Sequence, residues 1–223
     1  MTVAERYDFV LAYFAKAMPD AHSELHFRNE YELIVAVILS AQCTDKRVNM
    51  VTPVLFAKWP GIAALSLASP SDVLGVIRSV SYPNSKCQYL VGMARMVMDV
   101  FGGVIPSSLE GLMRLPGVGR KTANVMLIEA FGKPAMPVDT HVFRVANRLG
   151  LTFASKTPEQ TERELVRSIP AHLLPKAHHW LVLFGRYTCT ALSPNCAECP
   201  FLSFCLLRHP ESYEDAEEQQ TLF

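Results

Sequence analysis

No apolar run in this chain is long enough to cross a membrane: the longest, LIVAVIL after Glu32, falls far short of the ~20 residues a bilayer requires. The opening MTVAERYDFV has no extended apolar core followed by small residues, so no export signal is predicted and the protein is read as cytoplasmic. In that compartment the six cysteines are not expected to build a disulfide framework. Strict polar/apolar alternation is scarce, which argues against a sheet-based fold, and no internal repeat of solenoid period is visible. Net charge is also lacking, with 21 Lys and Arg against 21 Asp and Glu. Spread evenly, that balance would argue against a polyanionic partner.

The charge is not spread evenly. ESYEDAEEQQTLF, the last thirteen residues, holds five acids and no base, so the body is mildly basic. Between Arg114 and Arg148 the bases Arg120, Lys121, Lys133 and Arg144 join those two, opposed only by Glu129 and Asp139. Such a local excess suits a phosphate backbone. Half the residues are apolar, enough for a sizeable core. Helical spacing dominates, predicting an all-α chain with helices over 2–17, 30–42, 44–57, 71–79, 86–101, 107–114, 120–131, 140–149, 158–169 and 173–187. Asn29 with Glu32, Ser85 with Gln88, and Thr157-Pro158 with Gln160 read as helix starts of the capping-box kind. Pro134 and Pro137 mark 132–138 as a hinge candidate.

LPGVGRKTANVML, from Leu115 to Leu127, places a lysine where a glycine-containing turn becomes a helix. Gly117 and Gly119 allow a backbone that aims successive N–H groups at one anion. A Walker loop needs four residues between its first glycine and Gly-Lys, and a strand before it; both are missing. For a bare Gly-x-Gly, a tight helix-helix turn with a solvated lysine is the better explanation. Lys121 gains no stability at the positive end of a helix, and the same placement lowers its pKa. Bringing an amine from about 10.4 to about 7 or 8 costs roughly 4 kcal/mol and makes it a nucleophile near neutrality. Asp139, in PVDTHVFRVANRLG, stands directly before a helix as an N-cap residue.

LPGVGRKTA together with VDTHVFRVANR resembles the endonuclease III family of helix-hairpin-helix DNA glycosylases, over roughly residues 25 to 208. The resemblance implies that Lys121 is the nucleophile and Asp139 its catalytic partner. Attack on a sugar C1′ would expel the base and leave a Schiff base, after which β-elimination would nick the strand. It further implies that Leu115, Gly117, Val118, Gly119, Arg120 and Thr122 of the hairpin, with His141 and Arg144, contact damaged double-stranded DNA. LSAQCTDKRVN resembles the loop that fills the gap left by a flipped base, making Gln42 the plug and setting Asp45 near the catalytic centre. SYPNSK resembles the second such loop, but Tyr82 and Pro83 stand where the family commonly has a leucine and a tyrosine. Tyr82 can still stack as an aromatic wedge. The implied fold is a six-helix domain over 22–132, a second domain from 1–21 and 133–208, and an acidic, disordered tail over 209–223. In it Lys121 and Asp139 face each other across a cleft, in a monomer.

Cys189, Cys196, Cys199 and Cys205 are separated by six, two and five residues. The Cys-x-x-Cys step suits zinc as well as iron. The spacing recurs in the resembled family, which implies a [4Fe–4S] cluster. TALSPN, between the first two of these cysteines, has none of the bases that family often carries there. Cys43 and Cys87 read as ordinary buried thiols. QQTLF resembles the short peptides that dock bacterial DNA-processing proteins on a sliding clamp, with Gln219, Leu222 and Phe223 as its anchors. Rival readings are a monofunctional adenine or mismatch glycosylase, a noncatalytic DNA-binding module and a redox carrier. The first typically lacks the lysine, and the last leaves the hairpin unexplained.

Overall fold

The structure, a computed structural model, describes residues 1–210. Most of the acidic tail, with Gln219, Leu222 and Phe223, lies outside them. Among the described residues every regular element is a helix. The chain divides into two compact units: Ser23–Lys133, and Met1–His22 joined with the chain from Pro134 onward.

The Ser23–Lys133 unit is built on α2 (Glu30–Ser40), whose residues from Tyr31 to Leu39 are all buried. A helix apolar on every side belongs at the centre of a bundle. Around it pack α3 (Asp45–Lys58), α6 (Pro83–Phe101) and α8 (Arg120–Glu129). The short α4 (Ile62–Ser66) and α5 (Pro70–Ile77) lie on α6, and α7 (Leu109–Met113) lies on α8. Glu32, buried in α2, is tolerated because it accepts from the Arg28 guanidinium at 2.6 Å and the Arg28 N–H at 2.8 Å.

Several helix starts differ from those predicted. α6 begins at Pro83 with Tyr82 as its N-cap, so Ser85 lies inside the helix and caps nothing at its start. Proline at the first position favours that start, since its fixed φ suits a helix and its missing N–H costs no bond there. α5 likewise starts at Pro70, with the Ser69 side chain accepting from the Asp72 N–H. α2 stops at Ser40, which leaves Gln42 outside it. α4 was not foreseen, because five residues are too few to display a period. Asn29 does cap α2, but Glu32 answers to Arg28 and not to the Asn29 backbone.

The other unit comprises α1 (Val3–Ala17), α9 (Thr140–Arg148), α10 (Pro158–Ser168), α11 (Leu174–Tyr187) and the segment carrying the four cysteines. Phe201, fully buried, meets Phe14 and Phe184 edge-on, each with ring centroids 5.3 Å away. A side chain of this kind contributes about 1.5–3 kcal/mol when fully buried, so Phe201 anchors an otherwise irregular segment. Arg6, also buried, donates to the Leu149 carbonyl at 3.2 Å and the Phe204 carbonyl at 2.7 Å, tying α1 to the end of α9 and to the cysteine segment.

Candidate active site and cysteine centre

α8 begins behind Gly119, an N-cap residue that has no side chain with which to cap the helix. A helix start of this kind, with the positive end of the dipole behind it, is the arrangement that binds phosphate at helix N-termini. Gly117 is required by the chain itself. Its φ is +79°, and a Cβ there would stand 2.8 Å from the Tyr89 Cβ. Gly119 has a different reason, since a Cβ there would meet nothing within 4 Å. The space over Gly119 is left open by this protein, and an incoming backbone can occupy it. Leu115 and Val118 are buried, holding the turn to the core, so their backbone is what the hairpin presents. Arg120, Lys121 and Thr122 are half-buried in the first turn of α8.

Gln42 and Tyr82 share a property that the sequence did not disclose. Both have left-handed backbones, with φ of 53° and 55°, and only Ala154 joins them among the described non-glycine residues. Each costs of order 1–3 kcal/mol and persists only where its surroundings enforce it, a pattern that gathers at functional sites. Both side chains are exposed. Asp45, half-buried, opens α3 behind Thr44, whose hydroxyl accepts from the Arg47 N–H at 3.3 Å. Cys43 is only partly buried, whereas Cys87 is buried as expected.

In the other unit, Asp139 caps α9: its Oδ1 accepts from the His141 N–H at 2.9 Å and the Val142 N–H at 2.8 Å. One oxygen satisfies the cap, so Oδ2 is not needed for it. The backbone leading to Asp139 is held by buried His178, whose ring Nδ1 lies 2.9 Å from the Pro137 carbonyl. Arg144 is half-buried and donates to the carbonyls of Cys189 at 3.0 Å and Gly185 at 2.7 Å, with His141 Nδ1 3.2 Å away. Its guanidinium therefore braces α9 against the end of α11.

The four thiols of Cys189, Cys196, Cys199 and Cys205 act on one another electrostatically, and burial pushes those of Cys199 and Cys205 up. Each sulfur has an N–H partner. Arg148 donates to the Cys189 Sγ and Arg208 to the Cys196 Sγ, both at 3.3 Å. The Phe201 backbone faces Cys199, and those of Leu207 and Arg208 face Cys205. Among the described residues, no three His, Cys, Asp or Glu converge as one metal ion demands. Zinc draws four sulfurs to about 2.3 Å of a single centre. Four thiols that act on one another without converging on a single ion, each with an N–H donor, fit a cuboidal iron-sulfur cluster, whose thiolates are tuned by such bonds. Arg148 also donates to the carbonyls of Thr190 and Ala191, so the base-free TALSPN loop is braced by a base from α9.

A model of the HhH-GPD superfamily base excision DNA repair proteins matches residues 35–171, and one of the iron-sulfur binding domain of endonuclease III matches residues 189–205. The chain belongs to the HhH-GPD superfamily of base excision DNA repair proteins. Relatives narrow the class. Endonuclease III of Rickettsia conorii is 43% identical over 86% of this chain and 91% of its own length, and that of Bacillus subtilis 42% over 89% and 90%. A trapped endonuclease III–DNA covalent intermediate superposes with a TM-score of 0.89 at 40% identity, covering 93% of this chain and 98% of that one. Within the superfamily the chain is a member of the endonuclease III family, and its cofactor is a [4Fe–4S] cluster. A thermostable thymine-DNA glycosylase, 22% identical with a TM-score of 0.79 over 96% of this chain and 98% of its own, shares the fold.

Proposed function

We propose that this bifunctional DNA glycosylase and lyase removes oxidised pyrimidines from duplex DNA with Lys121 as its nucleophile. The amine, once deprotonated, forms a bond to C1′ as the C1′–N bond to the base breaks and the base departs with the electron pair. Loss of a proton from the joined nitrogen, followed by cleavage of the C1′–O4′ bond with protonation of O4′, opens the sugar ring to a Schiff base, which acidifies the C2′ hydrogen. Removal of that proton expels the 3′ phosphate by β-elimination, and water then frees the lysine. Asp139 supplies the anion that stabilises positive charge on the sugar as the base leaves. The start of α8, with its open space over Gly119, holds a DNA phosphate, Arg120 and Thr122 add contacts beside it, and His141 contacts the duplex from its own unit. Gln42 and Tyr82 enter the stack vacated by the flipped nucleotide, and Asp45 borders the extruded base. Arg144 serves by bracing α9.

Cys189, Cys196, Cys199 and Cys205 ligate the cluster, which when bound cross-links a segment with little regular structure of its own. The enzyme works as a monomer on chromosomal DNA. Through QQTLF it docks on a sliding clamp, a step that deletion of residues 219–223 should abolish.

The observation that carries this reading is a lysine in the first turn of a glycine-preceded helix. Its test is borohydride trapping on a thymine glycol duplex. Wild-type protein should yield a covalent adduct mapping to position 121, and Lys121→Ala should yield none while still binding DNA. An adduct of undiminished yield in that variant refutes the assignment.

A further inference from the structure

Lys86 is almost wholly buried, with 4% of its surface exposed, although a lysine is among the residues least often found inside a protein. Its amine donates to the Leu39 carbonyl at 2.7 Å and the Ala41 carbonyl at 2.6 Å, at the end of α2. Those carbonyls lie beyond the reach of the intrahelical ladder, and the negative end of the helix favours a cation there. The backbone N–H of the same residue donates to the Tyr82 carbonyl at 3.1 Å. Ala41 directly precedes Gln42, so one residue holds a carbonyl next to each left-handed backbone. Its side chain grips the Gln42 loop and its main chain grips the Tyr82 turn.

We infer that Lys86 is a positioning residue that fixes the spacing of the two plugging side chains, Gln42 and Tyr82, and so governs base extrusion. The inference rests on the proposed roles of those two residues. Lys86 is not a second nucleophile, because its amine is shielded and committed to two carbonyls. Without the ammonium, the α2 carbonyls lose their partner and the Gln42 backbone loses the bond that holds Ala41 before its positive φ. Chemistry that needs no plug, such as strand cutting at an abasic site in single-stranded DNA, does not call on this spacing.

The test uses the full-length holoenzyme. Lys86→Met keeps the apolar stem and removes the charge; its folding is checked by circular dichroism and by the visible absorbance of the cluster. Single-turnover excision of thymine glycol from duplex should fall by about tenfold or more, since small misplacements are costly in catalysis. Cutting of a single-stranded abasic oligonucleotide should stay within about twofold, because Lys121 and its helix are untouched. Fluorescence of 2-aminopurine opposite the lesion, which reports unstacking, should lose most of its enhancement. Lys86→Arg, which keeps the charge and donors, should recover part of the duplex activity. Unchanged duplex excision, or a parallel fall on both substrates, would overturn the inference. If Lys86→Met does not fold, Lys86→Gln, whose shorter uncharged amide cannot hold both carbonyls, carries the same comparison.

Gln42→Ala and Tyr82→Ala separate this inference from the reading beneath it. If neither affects duplex excision, the plug assignment itself is wrong. If both do and Lys86→Met does not, only the role of Lys86 falls. When all three act, adding Lys86→Met to the Gln42→Ala, Tyr82→Ala double variant should cost little more.

Discussion

Two glycines two positions apart are there for different physical reasons, and substitution separates them. Gly117→Ala forces a Cβ against Tyr89 at a φ of +79°, so it should destabilise the protein by about 1–3 kcal/mol, read as a lowered melting temperature. Gly119→Ala meets only open space at an ordinary φ. It should melt like the wild type, yet bind abasic duplex more weakly, because its methyl stands where a phosphate backbone approaches. Normal DNA binding by Gly119→Ala would show that the space over the turn is not used. At the other end of the chain, Glu5 accepts from the Thr2 N–H at 2.8 Å while Thr2 accepts from the Glu5 N–H at 3.2 Å. The bonds from Thr2 hold the Glu5 carboxyl below its ordinary value. A depressed acid contributes stability above its unfolded pKa and loses it as pH falls through the folded one. Glu5 should therefore titrate below the usual glutamate range by NMR, and Thr2→Ala should move it only part of the way back up, because the Thr2 N–H bond, the larger cause, remains. Among the described residues this is the one helix start in which both halves of a capping box form, and neither Thr2 nor Glu5 is among the capping-box starts read from the sequence.

Helices and segments succeed here through residues that leave their own element. Arg6 belongs to α1 but bonds the end of α9 and the cysteine segment, and a Cβ on Gly150 would lie 2.6 Å from its guanidinium. Arg6→Met leaves two buried carbonyls unpaired, which should cost about 2–4 kcal/mol and accelerate loss of the cluster absorbance under mild denaturant. Retention of both stability and iron would show that α1 is not what steadies the cysteine segment. Iron removal should act at the same scale. Without the cluster, hydrogen exchange should rise through residues 189–209 while α2 and α6 keep their protection, because the unit built on α2 contains no cluster ligand. The sequence showed where most helices lie, since period and caps are local signals. It missed the start of α6, where a proline outcompeted a serine cap, and it missed α4 for want of length.

Over the whole molecule, zero net charge conceals a basic body, and binding to undamaged duplex should weaken steeply with salt, as it does when lysines and arginines displace counterions. A salt-independent affinity would mean that the excess between Arg114 and Arg148 does not meet phosphate. Arg144 and Arg148 temper that count, because the structure turns both guanidinium groups toward backbone carbonyls and, for Arg148, a cysteine sulfur. What the sequence determined unaided was the all-helical architecture, the glycine turn ahead of Lys121, the cap formed by Asp139 and the spacing of the four cysteines. Each is written within a few consecutive residues, where periodicity, backbone freedom and ligand spacing operate. Only the tertiary structure decided that Gln42 and Tyr82 share a strained backbone, that Lys86 joins them, that Arg6 is buried and that N–H groups surround the sulfurs. Their side-chain bonds join residues up to 198 apart, or the arrangement imposes a φ that no side chain prefers, so they exist only once packing supplies the partners.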